Sequence, residues 1–141
     1  MTFSEFFCKY NHVFRNFIST FLCPRVICND GFSFSAQAGP NHYSTPKAFV
    51  ENDEYTEFEI ACLSDVEEQF MQYADDPDEP LTSTYYYVDL NDIETAVANH
   101  GGVCEQYAKL IDDFLTNNNV SVIDAKDMSN LHKQAHGLIA K

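Results

Sequence analysis

Aromatic residues recur along the first part of the chain at helical intervals. Phe6, Phe7, Tyr10, Phe14, Phe17 and Phe21 stand three or four positions apart. That single stripe predicts an amphipathic helix over 4–22, with Ser4 or Thr2 as cap and Pro24 as its end. The period then changes to two. Val26-Ile27-Cys28, the turn Asn29-Asp30-Gly31 and the alternation of Phe32, Phe34, Ala36 and Ala38 predict a β-hairpin. Gly39 to Asp53 is a loop by composition, with Pro40, Pro46 and the polar run Asn41–Thr45. Tyr55 to Cys62 alternates again, with Thr56, Phe58, Ile60 and Cys62 expected inward and Glu57 and Glu59 outward.

Ser64-Asp65-Val66-Glu67 has the form of a capping box and predicts a short helix through Tyr73. Asp75–Pro80 is an acidic loop and Tyr85–Val88 a strand. Asn91 is expected to cap a helix ending at His100, where Gly101-Gly102 supplies a left-handed stop. A further helix is expected over Val103–Leu115, with Tyr107, Leu110, Ile111 and Phe114 or Leu115 inward. A short strand over Val120–Ile123 and a helix over Ala125–Ile139 follow. The order predicts an α+β fold: an antiparallel sheet of about four strands with helices packed on one face, N-terminal helix first. No repeat or linker divides it, so residues 1–141 read as one acidic domain.

Composition narrows the class. A 45% hydrophobic fraction with 12 Phe and 8 Tyr excludes wholesale disorder. No apolar stretch approaches the ~20 residues of a membrane span. Phe14–Cys23 resembles a leader, yet Arg15 and Asn16 interrupt it and no cleavage site follows, so a cytoplasmic protein is expected. Five cysteines at irregular spacing read as reduced, buried thiols.

Charge changes the picture most. The net charge is −14, and residues 48–108 carry 16 carboxylates without one Lys or Arg. Residues 1–47 balance to +2 and residues 109–141 to zero. Such a surface repels nucleic-acid backbones and attracts the proteins that bind them. Partner-binding candidates are therefore Glu51, Asp53, Glu54, Glu57, Glu59, Glu67, Glu68, Asp75, Asp76, Asp78 and Glu79. Tyr85 and Tyr86 are candidate aromatic anchors, with Tyr55, Tyr73 and Tyr87 beside them. Glu57 and Glu59 should stand about 6–7 Å apart on one strand face, comparable to successive phosphates of one strand. The alternative is a solubilising face.

Signals for catalysis are thin. His132 and His136 have the i, i+4 spacing of two zinc ligands, but Lys133 occupies the position where a metalloprotease carries Glu. Cys23 and Cys28 lack a second pair for a zinc ribbon, and His100 with Cys104 flanks a glycine stop rather than a nucleophile signature. The five glycines form no phosphate-cradling pattern. No catalytic residue, metal or cofactor is assigned. The expected partner is a basic surface of a host nucleic-acid-binding protein, without direct binding to nucleic acid or membrane. Two alternatives stay open: Asn41–Thr45 and the tyrosines line a pocket for a nucleotide-type ligand, or the chain is a phage structural or assembly factor.

The block Cys28-Asn29-Asp30-Gly31-Phe32-Ser33-Phe34-Ser35-Ala36-Gln37-Ala38, followed by His42-Tyr43-Ser44-Thr45-Pro46, resembles a recurrent segment of small phage and prophage proteins. The Tyr85–Val88 strand and the helix ending His100-Gly101-Gly102 resemble the same group. In size and acidity the chain is also similar to phage anti-defence proteins, notably anti-CRISPR inhibitors. That likeness implies a cytoplasmic inhibitor in a bacterial host, and it carries no site residues.

Overall fold

Thr2 opens the first helix, α1 (Phe3–Tyr10), in the computed structural model, which describes residues 1–139. Its hydroxyl accepts from the Glu5 N–H at 3.1 Å, and the Glu5 carboxylate accepts from the Thr2 N–H at 3.0 Å. This capping box fixes the start. Phe3, Phe6, Phe7 and Tyr10 form the buried face.

The helix stops there, which corrects the expectation of a helix over 4–22. His12 takes φ 70°, and two short strands follow, β1 (Phe14–Arg15) and β2 (Phe21–Leu22), paired antiparallel. Asn16 is the reason. Its side-chain oxygen accepts from the N–H groups of Ile18 and Thr20 at 3.1 and 2.9 Å, closing a turn that competes with a helix. Phe17 and Ile18 sit at the tip, 90% and 81% exposed. Their helical spacing therefore has no partner surface behind it.

β3 (Val26–Ile27) and β4 (Ser33–Gln37) form the expected hairpin, with Gly31 at φ 93° and the Phe32 N–H donating to Asp30 Oδ1 at 2.9 Å. Phe32, Phe34, Ala36 and Ala38 are buried as expected. The other face of β4 is covered too. Arg25 donates to the hydroxyl and carbonyl of Ser33 at 2.9 and 3.1 Å and to the carbonyl of Cys62. The Gln37 amide exchanges two hydrogen bonds with the backbone of Cys23, each 2.9 Å.

β5 (Glu57–Ala61) and β6 (Tyr85–Asp89) complete a four-stranded antiparallel sheet in the order β3-β4-β5-β6. Phe58 and Ile60 point inward, whereas Thr56 and Cys62 lie beyond the strand ends and are exposed. The helix expected from Ser64 is absent: the segment makes turns and a single 3-10 turn at Met71–Tyr73. Asp65 caps only the adjacent Val66 N–H, and the Glu67 carboxylate is engaged by His100 instead of closing a capping box.

Asp89, not Asn91, caps α2 (Leu90–Asn99), accepting from the Asn91 N–H at 2.7 Å. Gly101 and Gly102 both take φ 85° and turn the chain into α3 (Glu105–Asn117). α3 therefore begins and ends two residues later than expected. β7 (Ile123–Asp124) runs parallel to β1 and makes a second sheet, β2-β1-β7, before α4 (Ala125–Ile139). The fold is α+β. Its core is aromatic: Phe3 and Phe7 meet Phe58 edge-on at 5.1 and 5.0 Å, and Phe6 stacks on Tyr107 at 5.9 Å.

Candidate functional site

The 16 carboxylates of residues 48–108 divide by what they touch. Glu51, Asp53, Glu54, Asp65, Glu68, Asp75, Asp76, Asp78, Glu79 and Glu105 are exposed. Among the described residues no Lys or Arg side chain bridges any of the 16.

The sheet gathers several of them. Glu57 of β5 stands opposite Asp89 of β6, a like-charge pair of the kind sheets avoid. Thr45 donates its hydroxyl to Glu57. Glu59 accepts from the Tyr43 N–H at 3.1 Å and stands 3.4 Å from His42 Nδ1. The hydrogen bond from His42 outweighs burial and holds the Glu59 carboxyl below its usual range. Tyr86 lies on Tyr43 with ring centroids 4.3 Å apart, and exposed Tyr87 meets the same ring at 5.9 Å. The Tyr86 phenol is raised by desolvation and then by the charge of Asp75. Asp75 begins the loop leaving this sheet edge, where its N–H donates to Thr84 O and the Asp76 N–H to Ser83 Oγ, both 2.9 Å. Glu57, Glu59, Asp75, Tyr86 and Tyr87 thus share one neighbourhood, to which Tyr43 adds a residue the sequence did not single out as an anchor. Glu51, Asp53 and Glu54 form a second group around the 3-10 turn packed on α1, where burial and then the charge of Asp53 raise the Cys8 thiol.

Other expected contact residues are built into the fold. Glu67 is only 8% exposed and accepts from His100 Nε2 and the Gln69 N–H, both at 2.8 Å. Tyr85 is fully buried and donates to the Pro80 carbonyl, so it is a core residue rather than an anchor. Tyr55 is likewise buried, bonded to the Ala48 carbonyl at 2.7 Å. The Tyr73 hydroxyl donates to Asp92, and burial, then that bond, pushes its phenol up to about 12. Glu94 caps α1 from a distance, accepting from the N–H of Phe3 at 2.8 Å, the N–H of Ser4 at 3.3 Å and the Ser4 hydroxyl at 2.8 Å.

His100 lies between Asp30 at 2.5 Å on Nδ1 and Glu67 at 2.8 Å on Nε2, stacked on Phe32 with centroids 4.2 Å apart. Burial lowers its pKa, but the two carboxylates outweigh burial and the net shift is upward. Both ring nitrogens are engaged. Buried Cys28 is pushed up to about 12 by burial, then by Asp30 and Glu67. With both nitrogens bonded to carboxylates, the His100 imidazole is a clamp rather than the base of a nucleophile pair with Cys104. It ties the hairpin turn to the end of α2, assisted by the Asn29 N–H donating to Gly102 O at 2.9 Å.

Cys23 and Cys104 are buried as well, whereas Cys8 and Cys62 are exposed, against the expectation of buried thiols. His132 is pushed down to about 4 by burial, then by Arg25 and His136, and its Nε2 is buried without a partner. His136, one turn on, is exposed. Among the described residues no group of three or more His, Cys, Asp or Glu stands close enough to hold a metal ion. No described helix is long and apolar enough to cross a membrane.

A cavity of about 680 Å³ opens between the β1–β2 hairpin, the Gly39–His42 turn and Ser121-Val122. From the polar run Asn41–Thr45 it takes only Asn41 and His42. Ser44 is buried, bonded to Gly39 and Pro46, and Thr45 binds Glu57. The rest of the lining, including His12, Thr20, Phe21 and Phe49, lay outside the residues the sequence marked. Comparison with protein-family models, with curated proteins and with solved structures found no match.

Proposed function

We propose that the chain is a phage-type, anti-CRISPR-like inhibitor that docks on a basic, nucleic-acid-binding surface of a host protein. The docking face comprises Glu57, Glu59, Asp75, Asp76, Asp78 and Glu79 with Tyr43, Tyr86 and Tyr87. One observation carries this reading: the middle of the chain has 16 carboxylates and, among the described residues, no Lys or Arg paired with any of them. Solubility alone requires excess charge, not the exclusion of cations. Carboxylates left unpaired in the free protein are available to Lys and Arg of a partner, steering fast, salt-sensitive association. The exposed tyrosines supply rigid apolar area among the charges.

Immobilised protein challenged with bacterial lysate tests the proposal. The expected result is retention of a basic nucleic-acid-binding protein that elevated salt releases and duplex DNA displaces. Retention that neither salt nor DNA reverses would sink it.

A further inference from the structure

The cavity beside the β1–β2 hairpin differs in kind from the acidic face, and its chemistry can be read from its walls. It has about 680 Å³, within the range of small-molecule sites. Among the described residues no Asp, Glu, Lys or Arg lines it. Its polar groups are amides, hydroxyls and the imidazoles of His12 and His42, set among Val13, Phe21, Ala38, Pro40, Phe49 and Val122.

Glu59 lies against His42 Nδ1, so in the neutral ring Nδ1 carries the proton and Nε2 is an acceptor. Among the described residues Nε2 has no hydrogen-bond partner. His12 is held below its ordinary value by burial, then by the neighbouring His42. Phe49 and Phe21 are 77% and 49% exposed at the rim. His12 and Ser19, both lining residues, hold positive φ of 70° and 62°, a conformation that costs energy outside glycine.

We propose that this cavity binds an uncharged planar heterocycle of nucleoside size. The two exposed rings would stack on its faces, and the Asn41 amide and His42 Nε2 would read its polar edge. A phosphate is disfavoured, because among the described residues no Lys or Arg lines the site and the whole molecule carries −14.

Calorimetry on the full chain at pH 7.5 tests this with adenosine, guanosine, cytidine, uridine and thymidine, each beside its 5′-monophosphate. At least one nucleoside should bind saturably at one per chain, with its monophosphate about tenfold weaker or more. Phe49→Ala removes an exposed ring without touching the core and should weaken binding about tenfold, as expected for one base–aromatic stack. Phe17→Ser, at the hairpin tip outside the lining, should leave affinity unchanged. Saturation by none of the five nucleosides overturns the proposal. So does a monophosphate that binds as tightly as its nucleoside, or undiminished binding by the Phe49 variant.

Discussion

The acidic sheet edge and the hairpin cavity use opposite physics on neighbouring parts of one small fold. At the sheet edge Glu57, Glu59 and Asp75 are gathered around three tyrosines; Lys47 lies over the Tyr43 ring at 4.7 Å, but among the described residues no Lys or Arg bridges these carboxylates. Around the cavity, among the described residues, no Asp, Glu, Lys or Arg lines the wall, and the large apolar groups left exposed are the rings of Phe21 and Phe49. A protein that only needed solubility would place its charge where its apolar rings are exposed. Here Phe17, Ile18, Phe21 and Phe49 stay uncovered while the charge concentrates elsewhere. The two regions therefore look specialised, and the specialisation depends on which polar groups the fold itself consumes.

That dependence gives the largest expected effect. Glu94 and Glu67 belong to the acidic middle by sequence, but Glu94 accepts three hydrogen bonds at the start of α1 and Glu67 is clamped by His100. Glu94→Ala should cost about 2–3 kcal/mol in urea unfolding, because charged acceptors leave their donors unpaired when removed. Glu79→Ala, on the exposed loop, should cost almost nothing. Equal losses would erase the division between consumed and free carboxylates.

A somewhat smaller effect is expected where the hairpin turn meets the end of α2. A Cβ on Gly102 would lie 3.2 Å from the Met1 carbonyl oxygen at φ 85°. Gly102→Ala should therefore cost about 1–2 kcal/mol, adding contact to backbone strain. Gly31→Val should cost about 1 kcal/mol, since its Cβ meets only a side-chain methyl at 3.8 Å. Melting temperatures of both variants check the order.

The histidines sharpen the comparison through pH. His100 has a raised pKa, so its clamp is fully present below 6.5 and is lost as pH rises through the higher value of the folded state. His132 has its pKa lowered to about 4, so its burial costs nothing above 6.5 and destabilises as pH falls from 6.5 toward 4. Stability should therefore fall on both sides. His100→Gln should flatten the alkaline limb and His132→Leu the acid limb, each followed by thermal melts across pH 4–9. One substitution flattening both limbs would contradict the assignment.

Much of the fold was legible because period and capping agreed. The hairpin around Asn29-Asp30-Gly31 and the final helix Ala125–Ile139 emerged where local chemistry and burial point the same way. Residues 11–22 misled because Phe14, Phe17 and Phe21 keep a helical spacing that Asn16 overrides with two backbone hydrogen bonds. The capping box at Ser64 failed because a distant His100 takes Glu67, a contact no local pattern reveals. The same limit governs the site. Charge segregation was visible in the sequence, but Tyr85 could not be recognised as core, nor Tyr43 as the ring under Tyr86, before the strands were paired. The cavity lies against the segment where the periodicity misled. Local rules tend to fail at functional sites, where the chain departs from its lowest-strain course.

The smallest expected change in stability carries the functional comparison. Glu57→Gln keeps an acceptor for Thr45 and removes the like-charge opposition to Asp89. It should leave the melting temperature unchanged or raise it, by at most about 0.5 kcal/mol of stability. Asp78→Asn with Glu79→Gln should be equally neutral, since both side chains are exposed and the chain carries −14. Glu59 does not belong in this set, because it also holds His42 and the Tyr43 backbone. If the acidic edge serves a basic partner, the neutral substitutions should still slow association and flatten its salt dependence, while dissociation changes little. A purely solubilising face gives the same melting temperatures with association and salt dependence unaltered. A structural network gives lower melting temperatures, because groups paired to the carboxylates are left without partners. Association rates at two or more salt concentrations, measured beside thermal melts of each variant, distinguish the three outcomes, and only slower, less salt-sensitive association at unchanged stability sustains the proposed docking face.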